Sequence, residues 1–237
     1  MKYDHIVILT GAGISAESGV ATFRDADGVW AKYDYRDVAT PEGFAANPDL
    51  VHSFYNQRRA GLKTATPNPA HYALAALEQR LALANGSVTL VTQNVDDLHE
   101  RAGSKSLVHM HGELAKVRCG GCGAVSLCAD DIGVETVCGS CGVRGQMRPH
   151  VVWFGEMPMF MDEIADAMRR ADLFVSIGTS GAIYPAAGLV AEARALSIPA
   201  IELNLEKSES AALFTEGRYG KAGDVVPAWV DEVAPPR

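Results

Sequence analysis

Four of the five cysteines form two C-x-x-C pairs, Cys119-Gly-Gly-Cys122 and Cys138-Gly-Ser-Cys141, with fifteen residues between them. Each pair presents two thiolates from a tight knuckle, and the spacer lets the knuckles meet around one tetrahedral ion, so a zinc site is expected. The glycines at 120, 121, 123, 139 and 142 suit turns that need positive φ. Four thiolates leave no open coordination position, which makes the metal structural rather than catalytic. A redox C-x-x-C is the competing reading, and two matched pairs argue against it. Cys128 is left over and reads as a small apolar side chain. Zinc ribbons bind nucleic acid, protein or nothing, so this motif alone assigns no activity.

A second motif lies near the start. Gly11-Ala12-Gly13-Ile14-Ser15-Ala16 follows the apolar run Ile6-Val7-Ile8-Leu9. It matches G-x-G-x-x-G/A, the turn that sets backbone N–H groups and a helix start against a pyrophosphate. An ordinary hydride-transfer unit would continue with a helix, a second buried strand and an acidic residue at its end. Here Gly19 to Trp30 is a charged loop instead. A dinucleotide would therefore be held for a purpose other than hydride exchange. Gln93, Asn94 and Asp96 directly follow the run Ser87–Thr92, at the sheet edge where ligands of open α/β folds bind. The bland alternative is that Asn94 caps a helix. His109 and His111 are both candidates for a general base near neutral pH, and spacing does not separate them.

The elements that must position these residues follow from periodicity. Buried strands are expected at His5–Thr10, Ser87–Thr92, Leu173–Ile177 and Pro199–Leu203, with helices at Ala70–Leu83, Met161–Arg170 and Ala186–Leu196. Strands alternating with helices imply an α/β fold: a doubly wound parallel Rossmann-like sheet, with a smaller zinc-ribbon module and a helical insert. Residues 1–30, 84–116 and 147–237 form the large unit, 31–83 the helical insert and 117–146 the zinc module.

The 237 residues are 48% hydrophobic, 21% charged and carry a formal charge of −8. That material suffices for a buried core, and the negative balance argues against binding a phosphate backbone, so no nucleic acid partner is expected. No window approaches a membrane span and no targeting segment is read, so no membrane partner is expected. Paired cysteines without a disulfide framework fit a reducing, cytoplasmic setting.

Taken together, Gly11-Ala-Gly-Ile-Ser-Ala-Glu-Ser-Gly19, Thr22-Phe23-Arg24, Thr92-Gln93-Asn94-Val95-Asp96, His111-Gly112, the four cysteines, Gly178-Thr179-Ser180 and Asn204-Leu205 resemble the sirtuin signature, in sirtuin order. The likeness runs from about Val7 to Pro227. Pro149 to Glu156, with Tyr55 and Arg58, is similar to the bacterial CobB type, grouped with desuccinylating sirtuins. Ala21 and Asp25 stand where many relatives carry proline and a small residue.

The resemblance implies that NAD is the co-substrate and acylated-lysine proteins are the partners, acted on by a monomer. The diphosphate would lie on Gly11, Ala12 and Gly13, the adenosine ribose near Gly178, Thr179, Ser180, Asn204 and Leu205, and the adenine by Ala222. Glu17, Ser18, Phe23 and Arg24 would belong to a loop closing over nicotinamide, and Gln93, Asn94 and Asp96 would meet the nicotinamide ribose and a water. His111, marked by its His-Gly context, would draw a proton from a ribose hydroxyl. The peptide would add as a strand along Val151 to Glu156, touching Val152, Phe154, Gly155 and Glu156. Tyr55 and Arg58, three apart on one helix face, would bind the carboxylate of a succinyl or malonyl group. A zinc-containing dehydrogenase, a non-catalytic NAD-sensing zinc-ribbon adaptor and a protein ADP-ribosyltransferase are the other readings.

Overall fold

In the computed structural model, residues 2–20 and 32–236 are described. Six strands form one parallel sheet: β1 (His5–Thr10), β2 (Ser87–Thr92), β3 (Leu107–His109), and, later in the chain, β7 (Leu173–Ile177), β8 (Ala200–Asn204) and β9 (Glu216–Tyr219). Between them, β4 (Gly112–Cys119), β5 (Val125–Leu127) and β6 (Met147–Val151) form a small antiparallel sheet. The large sheet runs β3-β2-β1-β7-β8-β9. Its order therefore reverses between β1 and β7, and the crevice beyond the carboxyl ends of strands at such a reversal is where ligands of this architecture bind.

Alternation along β1 explains the layering. Ile6 and Ile8 point to one face, where Leu74, Leu77 and Leu81 meet Val226, Trp229 and Val230. Val7 and Leu9 point to the other, against Ile164, Met168, Leu189 and Val190. Each such side chain contributes about 1.5–3 kcal/mol on burial, so a central strand covered on both faces must read as a continuous apolar run.

Among the described residues there are eight α-helices: α1 (Tyr35–Val38), α2 (Pro41–Ala46), α3 (Pro48–Leu62), α4 (Pro69–Ala82), α5 (Leu98–Ala102), α6 (Met161–Arg170), α7 (Leu189–Ala195) and α8 (Ala222–Val233). Three start the same way, with proline at the first position behind Thr40, Asn47 or Asn68 as a side-chain cap. Helices α1 to α3 pack away from the large sheet, in a separate core of Val38, Val51, Phe54 and Tyr55 against Leu114, Val151 and Trp153. Helix α4 instead belongs to the core of the large sheet, although its residues fall within 31–83.

Three sequence expectations shift at their edges. The strand expected from Pro199 begins at Ala200. The helix expected over Ala186–Leu196 divides into a 3₁₀ turn, Ala186–Gly188, and α7. The helix expected over Ala70–Leu83 runs from Pro69 to Ala82, and strand β6 ends at Val151, the first residue of the run expected to receive the peptide.

Candidate active site

The site is built where β1 and β7 part. Gly11 N–H donates to the Ile177 carbonyl at 3.0 Å and Gly13 N–H to the Gly178 carbonyl at 2.9 Å. A Cβ on Gly13 would lie 2.8 Å from the Gly178 backbone, and one on Gly178, at φ +63°, 2.5 Å from the Ile14 nitrogen. Only glycine allows this approach. Because Thr10 pairs with both Thr92 and Ile177, Gly11, Gln93 and Gly178 leave the sheet at one level. The chain then winds into a 3₁₀ turn, Ala12–Ser18, whose first N–H, that of Ala12, has no earlier turn to bond.

These strand ends open into a cleft of about 1300 Å³, roomier than the ~300–1,000 Å³ usual for one small ligand. One end is lined by Gly11, Ala12, Gly13, Glu17, Gly178, Thr179, Ser180, Asn204, Leu205 and Ala222. The middle holds Gln93, Asn94, Asp96 and His111, and the far end Tyr55, Arg58, Val152, Phe154, Gly155 and Glu156. Ser18 stands back from the cleft, its hydroxyl accepting from Asn68 Nδ2 at 3.0 Å. Phe23 and Arg24 lie outside the described residues. Glu17 reaches across to α8, which has no side-chain cap of its own, and accepts the Gly223 N–H at 2.7 Å.

Beneath the glycine turn lies a buried polar network. Ser15, fully buried, donates to Asp96 Oδ2 at 3.1 Å and accepts from Asn94 Nδ2 at 3.1 Å. Asp96 Oδ1 accepts the Leu98 N–H at 3.2 Å; the N-cap of α5 is Asp97, without a side-chain bond of its own, and Asn94 does not cap the helix. Burial pushes the Asp96 carboxyl above its ordinary range, opposed by these two hydrogen bonds. His71 and His99 pack edge to face at 4.9 Å, and burial takes His71 down to about 4, keeping a neutral ring beside Ser15. Ser15, Asn68, His71 and His99 were not singled out by sequence. Their signal, polar residues at helix starts and in a glycine turn, is also that of ordinary caps.

The two histidines separate cleanly. His109 is buried, with Nε2 2.7 Å from Glu100 Oε1 and Nδ1 3.4 Å from the Asn94 carbonyl. His111 lines the cleft, and its Nδ1 lies 3.1 Å from the Gln93 carbonyl. A carbonyl only accepts, so the His111 proton sits on Nδ1 and the neutral ring keeps its lone pair on Nε2. Burial lowers the His111 pKa below 6.5, partly offset by the Gln93 bond.

At the far end, Tyr55 and Arg58 sit on one face of α3. Tyr55 Oη accepts from Trp153 Nε1 at 2.9 Å, and both rings are 2% exposed. The indole N–H is donor only, so the phenol proton remains to be given to another acceptor. Arg58 lies 5.7 Å from the Tyr55 ring centre, with burial opposing its charge and Tyr55 and Asp96 supporting it. Arg59, its neighbour, turns inward to the Leu114 carbonyl at 3.0 Å and is structural. Glu156 gives both oxygens to Arg148, at 2.7 and 2.9 Å, and accepts the Trp153 N–H at 2.8 Å. The N–H groups of Val152 and Phe154 are likewise committed, to the carbonyls of His111 and Ala39 at 2.9 Å each.

The thiols of Cys119, Cys122, Cys138 and Cys141 all lie within 4.8 Å of one another. Two of the separations, Cys119 to Cys141 and Cys122 to Cys138, are 3.8 Å. A tetrahedron with zinc–sulfur bonds of about 2.3 Å has edges of about 3.8 Å, so the donor set fits the ion. The knuckles repeat one construction: Gly123 N–H bonds the Cys119 carbonyl and Gly142 N–H the Cys138 carbonyl, both at 2.9 Å with positive φ. Backbone N–H groups of Cys141 and Ser140 favour the Cys138 thiolate, whereas the neighbouring thiols push Cys141 up against the Val143 N–H, so the four sulfurs ionise together only around a cation. None of the four lines the cleft, which makes the site a scaffold.

A parallel sheet reversing at a glycine crossing, with a four-thiol module beside it, defines a Rossmann-like dinucleotide-binding protein carrying a zinc ribbon. The sequence pattern of the Sir2 family matches residues 11–185, and the chain belongs to that family. An NAD-dependent protein deacylase of Caulobacter vibrioides is 60% identical over 228 residues, spanning 96% of each chain. The NAD complex of a Sir2 homologue matches with a TM-score of 0.89 at 38% identity, covering 98% of this chain and 90% of that one. A Sir2 protein bound to a deacetylated p53 peptide and 3'-O-acetyl ADP-ribose matches at 0.85 and 28% identity, over 100% and 96% of the two chains.

Proposed function

We propose that this protein is an NAD-dependent protein-lysine deacylase that removes acetyl groups and, through Tyr55 and Arg58, succinyl or malonyl groups. The products are nicotinamide, free lysine and O-acyl-ADP-ribose. The carrying observation is one continuous cleft that joins the glycine crossing, the Nε2 lone pair of His111 and the phenol–guanidinium pair. The deacylase names of close relatives and the NAD complex of a homologue support the reading.

Bound across these strand ends, NAD supplies a ribose–nicotinamide bond whose cleavage activates the ribose for the acyl-lysine carbonyl oxygen. The chain contributes position and proton management. The Ala12 N–H and the start of the 3₁₀ turn favour the diphosphate. Asn94 and Asp96, fixed through Ser15, hold the ribose end of the cleft. His111 Nε2 would take a proton from a ribose hydroxyl and pass it to the departing lysine amine, with one water consumed as the acyl group is left on the sugar. The walls near Tyr55 and Trp153 exclude water from the acyl group. In this reading the large sheet unit carries NAD, the helical insert the acyl pocket, and the zinc module only structure.

The test is nicotinamide release from NAD with acetyl-, succinyl- and malonyl-lysine peptides. Release should require an acylated peptide, and the free lysine formed with it should fall by at least about a hundredfold in His111→Ala, the scale of one general base. Undiminished lysine formation in that variant removes His111 from the chemistry.

A further inference from the structure

The segment from His109 to Leu114 runs beside the Thr92–Val95 turn and holds four successive carbonyls. Met110 N–H donates to Thr92 at 3.1 Å, the His111 ring to Gln93, the His109 ring to Asn94, and Leu114 N–H to Val95 at 2.8 Å. Three of these clamps belong to main-chain amides or to the proposed base. The fourth, His109, is a side chain outside the cleft lining, and the proposed function has not used it.

Its two contacts impose a chemical condition. The Asn94 carbonyl and the Glu100 carboxylate are both acceptors, so each ring nitrogen of His109 must carry a proton. Only the imidazolium satisfies both. A neutral ring must either release Asn94 or set a lone pair 2.7 Å from a carboxylate oxygen. The charged and titratable groups around the ring are Glu100 and His99 of α5 and Glu113 of β4, the last paired with Lys116.

We propose that His109 is a positioning residue: as an imidazolium braced by Glu100, it holds the Asn94 main chain so that Asn94 and Asp96 face the cofactor end of the cleft. This rests on the deacylase reading. Burial opposes the charge, but the Glu100 hydrogen bond and charge, with Glu113, raise the His109 pKa above 6.5. The brace is therefore complete below that raised pKa and lost as pH rises through it.

Two isosteres divide the ring. Asparagine places its amide nitrogen near Nδ1 and keeps the Asn94 contact, whereas glutamine places it near Nε2 and keeps only Glu100. His109→Gln should lower kcat about tenfold with KM for NAD and peptide nearly unchanged, and His109→Asn should recover most of the loss. Glu100→Gln should flatten the alkaline limb of kcat, because its amide can donate to an unprotonated Nε2 while Nδ1–H stays on Asn94. Equal damage in the two His109 variants, or a change confined to KM, overturns the proposal. An NMR titration separates it from the deacylase reading. In the wild type the Val95 amide resonance should move with a His109 titration above 6.5. A His109 that titrates without moving Val95 overturns the positioning role, even in a protein that deacylates. An observed coupling upholds it even if no nicotinamide is released.

Discussion

Tyr55 and Arg58 make the sharpest residue-level case. Trp153 occupies a lone pair of the Tyr55 oxygen, leaving a phenol donor beside a guanidinium, two groups that suit an anionic substituent. Charge-assisted hydrogen bonds contribute about 1.5–3 kcal/mol each. Arg58→Met should thus lower kcat/KM for succinyl-lysine about ten- to a hundredfold while leaving acetyl-lysine within a few fold. Equal losses on both substrates would remove the carboxylate role. His111 fixes the acid side of the rate profile. Its pKa lies below 6.5 because of burial, and the base works when neutral. The acid limb should therefore be centred below 6.5, as measured by free-lysine formation across pH. A decline already centred above 6.5 would assign that limb to another group. By spacing His109 and His111 were equals, and only the resemblance to a His-Gly motif favoured His111. What distinguishes them is the partner each ring meets, Glu100 for one and the cleft for the other, and spacing does not encode that.

Among elements, those covered on both faces were legible and those at the margins were not. Strands β1, β2 and β7 matched their expected limits because a doubly buried strand must be a short unbroken apolar run. Strands β3 and β9 were missed: one is three residues long, and the other reads Glu-Gly-Arg-Tyr. Both are sheet edges: β3 packs Leu107 and Val108 but is too short to show a period, and β9 has little apolar face. Helix α8, with Pro227 inside, was equally hidden. Its start depends on a contact 206 residues away, the Glu17 carboxylate on the Gly223 N–H. Replacing a cap by alanine costs about 0.5–2 kcal/mol, so Glu17→Ala should lower Tm by a few degrees on a chain of this size. An unchanged Tm, read by calorimetry, would show that the contact adds nothing to folding.

On the scale of the whole molecule, the four cores among the described residues are of unequal strength. The two flanking the large sheet hold more than thirty buried residues between them. The zinc module has five: Val117, Cys119, Ile132, Cys138 and Met147. So few apolar groups hardly order a segment, and structural zinc contributes about 10–16 kcal/mol in small finger peptides. Removal of zinc by a strong chelator should unfold the module and loosen its ties to α3, the Asn56–Ile132 hydrogen bonds at 2.9 and 3.2 Å. Amide exchange should then quicken from Val117 to Gln146 while α4 and α8 stay protected. Uniform loss of protection would show instead that the module and the sheet unfold together. The wall formed by Val152 to Glu156 carries a last consequence. With the amides of Val152, Trp153, Phe154 and Glu156 turned inward, that rim meets a guest chain mainly through oxygen. Recognition there is lopsided: apart from the Gly155 N–H, the visitor brings the hydrogens, and an alkylated nitrogen, as in proline, arrives with none to give.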